Sequence, residues 1–228
     1  MTVLAPLHFA DAREAAALAA FLTRLVRYDR AAAVRLQAGG GALAVFGRPP
    51  SFEVLAIRTA LLVDAVDLDV TVSAGEFLEG IEESAGKAVV PDTVTGPPWA
   101  GVLPPRSGWR PVEGLPGDAE MRGAVAAAVA EFRARDAELP EERRTTAERD
   151  RIGRDIWSRT LGTTGLPLRA VHAAQSLGFL PPASERTPVA LFASGPWLRL
   201  RTPYGSIALR TVPMSLTSLS VTPGTSAG

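Results

Sequence analysis

Two stretches of this chain alternate apolar and polar residues around glycine or proline turns, and that period of two most narrowly limits the fold it can adopt. In the first, Val34 and Leu36 alternate with Arg35 and Gln37, Gly39-Gly40-Gly41 interrupts the run, and residues 42–46 resume it. A glycine turn between short alternating runs predicts a β-hairpin. Gly47-Arg48-Pro49-Pro50 turns the chain into a longer apolar strand over 52–63, and Leu68, Val70 and Val72 continue the pattern. In the second, residues 189–193, 197–201 and 206–210 read as three strands, with Ser194-Gly195-Pro196 and Thr202-Pro203-Tyr204-Gly205 as turns.

Helical periods surround these strands. Asp11 and Glu14 form a capping pair ahead of Leu18, Phe21, Leu22, Leu25 and Val26, which predicts a helix over 11–29 with one apolar side. Ser73 and Glu76 form a second capping box, opening a short helix over 74–81. Asp118 is read as the cap of a third helix, whose stripe is Met121, Val125, Val129 and Phe132 and whose end is Pro140. Thr145 and Glu148 cap a fourth, braced by Asp150–Arg154 and Asp155–Arg159 pairs worth about 0.2–0.5 kcal/mol each. Gly162 to Gly165 stops it, and Leu166-Pro167 starts a fifth helix that Gly178 and then Pro181-Pro182 terminate.

Between the two halves, residues 91–117 hold seven prolines and five glycines, a density that excludes regular helix or sheet. Trp99 and Trp109 lie inside this stretch and predict a connector packed against the protein rather than a free linker. The expected organisation is an N-terminal α+β domain over 1–90, the Pro/Gly-rich connector over 91–117, a helical and β-hairpin domain over 118–212, and a flexible tail over 213–228. The fold class is α+β: an N-terminal helix with an antiparallel meander, then a helix–turn–helix-like unit with a three-stranded β-meander.

Two helices followed by a hairpin is also the order of parts in winged-helix DNA-binding modules. The run from Leu166 to Leu180, with Arg169, His172, Gln175 and Gly178 inside it, followed by Trp197-Leu198-Arg199-Leu200, resembles the C-terminal part of an actinobacterial family of unknown function. The resemblance covers about a third of the chain and implies no activity, so it assigns no functional residue.

Charge and composition bear on function. Lys87 is the sole lysine beside 23 arginines, a bias that follows GC-rich codon usage along with the abundance of Ala, Gly and Pro. Formal net charge is zero, yet residues 1–120 carry −5 and residues 145–228 carry +5. Such asymmetry marks an acidic-partner or nucleic-acid face, or two halves that pack together. With no cysteine there is no disulfide framework, thiolate nucleophile or Cys-ligated metal. The N-terminus has no secretory signal and no stretch is apolar for the roughly 20 residues a membrane span needs, which points to the cytoplasm.

The chain holds no Walker loop and no G-x-G-x-x-G. Its two histidines, His8 and His172, form no metal-spaced pair, and Asp64, Asp67 and Asp69 lack the glycine and closing glutamate of an EF-hand loop. The sequence therefore predicts a non-enzymatic interaction or assembly protein without cofactor or metal, its partner a protein or a second copy and not a membrane. DNA binding through 146–210 is the alternative, and an enzyme with a dispersed site around Asp69, Arg35 or His8 the second one. The expected contact surface is Trp197, Arg199 and Arg201, with Arg169, Arg210, Trp99 and Trp109 beside it.

Overall fold

The computed structural model describes residues 6–97, 99, 103–180 and 188–211. The stop at Pro181-Pro182 and the tail over 213–228 lie outside the described residues. The chain opens with β1 (Leu7–His8) and α1 (Ala12–Tyr28), then four strands: β2 (Ala33–Gly39), β3 (Ala42–Gly47), β4 (Leu55–Leu61) and β5 (Leu68–Ser73). Asp11 Oδ1 accepts hydrogen bonds from the Arg13 and Glu14 amides, so the predicted cap sets the start of α1. Gly40 and Gly41, at φ 59° and 78°, supply the left-handed pair that closes β2 onto β3.

The first half finishes with α2 (Ala74–Glu79), β6 (Ile81–Glu82) and β7 (Lys87–Ala88). Ser73 Oγ accepts from the Glu76 amide at 3.3 Å, as the capping box predicts. The helix stops before the expected residue 81 because Gly80 is its C-cap and Ile81 enters a small β1-β7-β6 sheet. The strand expected over 52–63 is shortened at its start, where Ser51 and Glu53 take positive φ of 68° and 52° and turn the chain before Leu55.

The Pro-rich segment contains a strand that composition argued against, β8 (Arg110–Val112), paired with a later strand at the edge of the large sheet. An edge strand has one side without a ladder, which is where Pro111, lacking an amide proton, is tolerated. Next come α3 (Asp118–Ala137) and α4 (Thr146–Trp157). Gly117, not Asp118, occupies the N-cap of α3, and Asp118 is its first helical residue. Thr145 Oγ1 accepts from the Glu148 amide and caps α4. Asp155–Arg159 forms at 3.2 Å while Asp150–Arg154 does not; instead Arg135 and Arg159 bridge Glu131 on α3 to Asp155 on α4.

A two-strand ladder, β9 (Thr160–Leu161) and β10 (Leu166–Pro167), joins α4 to α5 (Leu168–Ser176), and Pro167 sits at the N-cap rather than inside the helix. The chain ends in the expected meander, β11 (Ala190–Ser194), β12 (Trp197–Thr202) and β13 (Gly205–Arg210). The architecture is α+β.

The two meanders form one antiparallel sheet of eight strands, in the order β5-β2-β3-β4-β13-β12-β11-β8. Its central joint is β4 on β13, with Ile57 opposite Ser206 and Leu55 opposite Ala208. One side of this sheet carries Val34, Leu36, Val45, Ala56, Leu200 and Ile207, all buried under the helices in the main core. The register turns the other set of side chains away from the helices.

Candidate functional site: the helix-free face of the sheet

Strand pairing fixes which residues share that second face. Arg35, Phe46, Ile57, Ser206, Arg201 and Ala190 form one cross-strand row. Leu55, Ala208, Arg199, Phe192 and Pro111 form the next, and Arg210, Trp197 and Ser194 a third. Because side chains alternate along a strand, Trp197, Arg199 and Arg201 all point to this side, as expected.

The tryptophans are packed rather than free. Trp197 is 8% exposed and Trp99 7%, and both belong to a second, smaller core with Phe46, Leu55, Ile57 and Ala208. Leu103 and Trp109 pack against the same cluster, so the Pro-rich segment lies over part of the helix-free face. The Trp109 indole donates to the Pro105 carbonyl at 2.9 Å. Apolar side chains of the connector thus do there what helices do on the other side.

Two arginines use these rings. The Arg199 guanidinium lies 5.9 Å from the Trp109 ring centroid and the Arg210 guanidinium 5.7 Å from that of Trp197, both within cation–π range. Arg199 is half-buried, and its Nε has no hydrogen-bond partner. Burial, and then the neighbouring Arg201 charge, pull the Arg199 guanidinium below its ordinary value. Arg201 is exposed. Neither arginine forms an ion pair with a carboxylate among the described residues.

Arg169 stands apart from this face. It sits on α5, on the helix side, with its Nε 3.8 Å from Glu53, and it lines a separate cavity of about 570 Å³ with Phe132, Arg154 and Trp157. The second helix of the expected winged-helix unit has little to offer a DNA groove. Leu168, Ala170, Val171, Ala173 and Ala174 are buried, and Gln175 alone among α5 residues is fully exposed. The hairpin that would be the wing is interior to the sheet, bordered by β4 on one side and β8 on the other.

The groups considered for chemistry are dispersed. Asp69 pairs with Arg35 at 2.8 Å and accepts from Gln37. His8 pairs with Asp64 at 3.1 Å. His172 lies between Trp157, stacked at 4.4 Å, and Phe52, edge-on at 5.2 Å, and burial pushes its imidazole below its ordinary value. Among the described residues no group of three or more His, Asp or Glu is placed to hold a metal ion, and no helix is long and apolar enough to cross a membrane.

Two cavities open on the helix-free face. One, of about 640 Å³, is lined by Ile57, Thr59, Phe192, Arg199 and Arg201, with Arg58 and Pro203 at its rim. The other, of about 560 Å³, is lined by Ala44, Phe46, Ile57, Thr59, Arg106 and Arg199. They share Ile57, Thr59 and Arg199 and are taken together as one trough, and among the described residues no Asp or Glu lines either part. Arg106 was not legible as a site residue, because only the fold of the connector brings it beside Arg199.

Comparison with known proteins gives families rather than an activity. Residues 3–101 match a domain of unknown function, DUF8010, and residues 104–214 match another, DUF8185. The resemblance expected for the C-terminal third thus widens to matches in both halves. No curated protein sequence matches the chain. Among solved structures, a DNA polymerase sliding clamp from Pseudomonas aeruginosa, crystallised with ligand, is similar with a TM-score of 0.43 and 13% identity over 88% of this chain. The chain spans 64% of the length of that structure, and at this distance the likeness bears on neither partner nor activity. The two matches, one in each half, together span nearly all of the chain's length.

Proposed function

We propose that this is a non-enzymatic interaction protein whose working surface is the helix-free face of the eight-stranded sheet. The observation that carries the reading is the trough on that face, where Arg199 and Arg201 have no carboxylate partner among the described residues. A half-buried arginine lacking a counter-charge is costly to a chain that keeps it for packing alone. An anionic group supplied from outside offsets that cost. The separation of Asp69, His8 and His172 into local pairs and stacks favours binding over catalysis, since catalysis needs a base and a nucleophile or metal on one reacting atom.

DNA is the second reading, and the same two arginines favour it. In that case contact would run through phosphates, because α5 lacks an exposed polar face for base edges.

The test is site-specific photocrosslinking in the native cell. A photoreactive residue at Thr59, exposed beside the trough, is compared with one at Glu120, exposed on α3. The reading expects a discrete protein adduct from Thr59 and none from Glu120. No adduct from Thr59, or the same adducts from both positions, would overturn it.

A further inference from the structure

The chemistry of the trough narrows the kind of partner. Arg199 and Arg201 are two residues apart on β12 and point to the same side, which sets their Cα atoms about 6.6–6.8 Å apart along the strand. An extended peptide presents its own i and i+2 side chains at the same repeat. Carboxylates at i and i+2 of such a peptide would then face Arg199 and Arg201 together.

Charge selects among such segments. Arg106 lines the trough beside Arg199. Arg58, opposite Val45 on the helix side of β4, is paired with Glu14 of α1 at 3.5 Å and adds no charge to the helix-free face. Arg199 and Arg201 have no carboxylate partner among the described residues, and a guanidinium fork can engage both oxygens of an incoming carboxylate. A duplex would need more cations than this face provides, since six to ten phosphate contacts are typical of tight binding.

We infer that the trough holds an extended acidic segment of a protein partner, with carboxylates two residues apart on Arg199 and Arg201. This rests on the helix-free face being the working surface.

The experiment uses purified full-length protein and fluorescence anisotropy. The probe is a dye-labelled, end-blocked octapeptide of alternating glutamate and valine; the control has glutamine in place of glutamate. The glutamate peptide is expected to bind at least about tenfold more tightly than the glutamine one, the effect of one charge-assisted hydrogen bond. Arg199→Gln and Arg201→Gln are each expected to lose about tenfold, and Arg169→Gln, on the helix side, nothing. Arg201 is exposed, so its variant keeps the test open if Arg199→Gln disturbs the packing on Trp109. The proposal is overturned by equal binding of the two peptides, by no binding, by insensitivity to Arg201→Gln, or by tighter binding of a 20-base-pair duplex. If the Thr59 crosslink persists while the glutamate peptide fails, the working surface stands and the acidic segment alone is rejected.

Discussion

His172 shows how a residue with a chemical reputation becomes a structural one. On a helix read from sequence it is a lone imidazole; in the fold it fills the gap between Trp157 and Phe52. Burial favours its neutral form, so its folded value lies below the ordinary 6.5. The unfolded chain then binds more protons than the folded one between the two values. Stability is complete above 6.5, falls as pH drops below it, and stops falling once the folded imidazole is also protonated. Chemical denaturation between pH 5 and 8 should show that slope in the native protein, and His172→Phe, which keeps the aromatic packing, should remove its share. An unchanged slope in the variant would show that other groups set it.

Elements in this protein end where space or hydrogen bonding makes them end. The α1, α2 and α4 starts are fixed by Asp11, Ser73 and Thr145, each accepting a backbone amide. The end of α2 has a different cause. Gly80 has an ordinary φ of −77°, so its conformation does not require glycine. A methyl group there would lie 2.6 Å from the Val89 carbonyl oxygen, and the Val89 amide donates to the Gly80 carbonyl at 2.9 Å. Gly80→Ala must push the small β6–β7 sheet off α2, at a cost of about 1–3 kcal/mol by analogy with overpacked cores. Urea denaturation measures it; a change under a few tenths would mean the contact yields freely.

At the scale of the molecule, the two halves meet in a shared sheet and a shared core. Besides the β4–β13 ladder, Phe21 of α1 and Phe179, just beyond α5, meet at 5.4 Å with both rings fully buried. Neither half buries its sheet edge or its aromatic ring alone. Calorimetry of the whole chain should therefore give a single transition. Phe179→Ala should lower stability by about 3–5 kcal/mol and should shift that transition without splitting it. Two resolved transitions in the native protein would show that the halves unfold independently.

What the sequence determined by itself is local. Period-two runs, glycine turns and capping residues placed β2, β3, the β11–β13 meander and the starts of α1, α2 and α4, because each depends on contacts a few residues apart. The same alternation put Trp197, Arg199 and Arg201 on one side of a strand. Tertiary structure alone decided what that side faces. Ile57 meets Ser206 across 148 intervening positions of chain, Pro111 becomes part of an edge strand because β11 was there to pair with it, and α5 turns from a groove-reading candidate into a core helix because the sheet needed covering. Burial of Trp99 and Trp197 and the approach of Arg106 to Arg199 likewise come from contacts between segments distant in the chain. Pairings so far apart in sequence leave no periodic trace, since the energy that selects them is the burial of two apolar surfaces against each other.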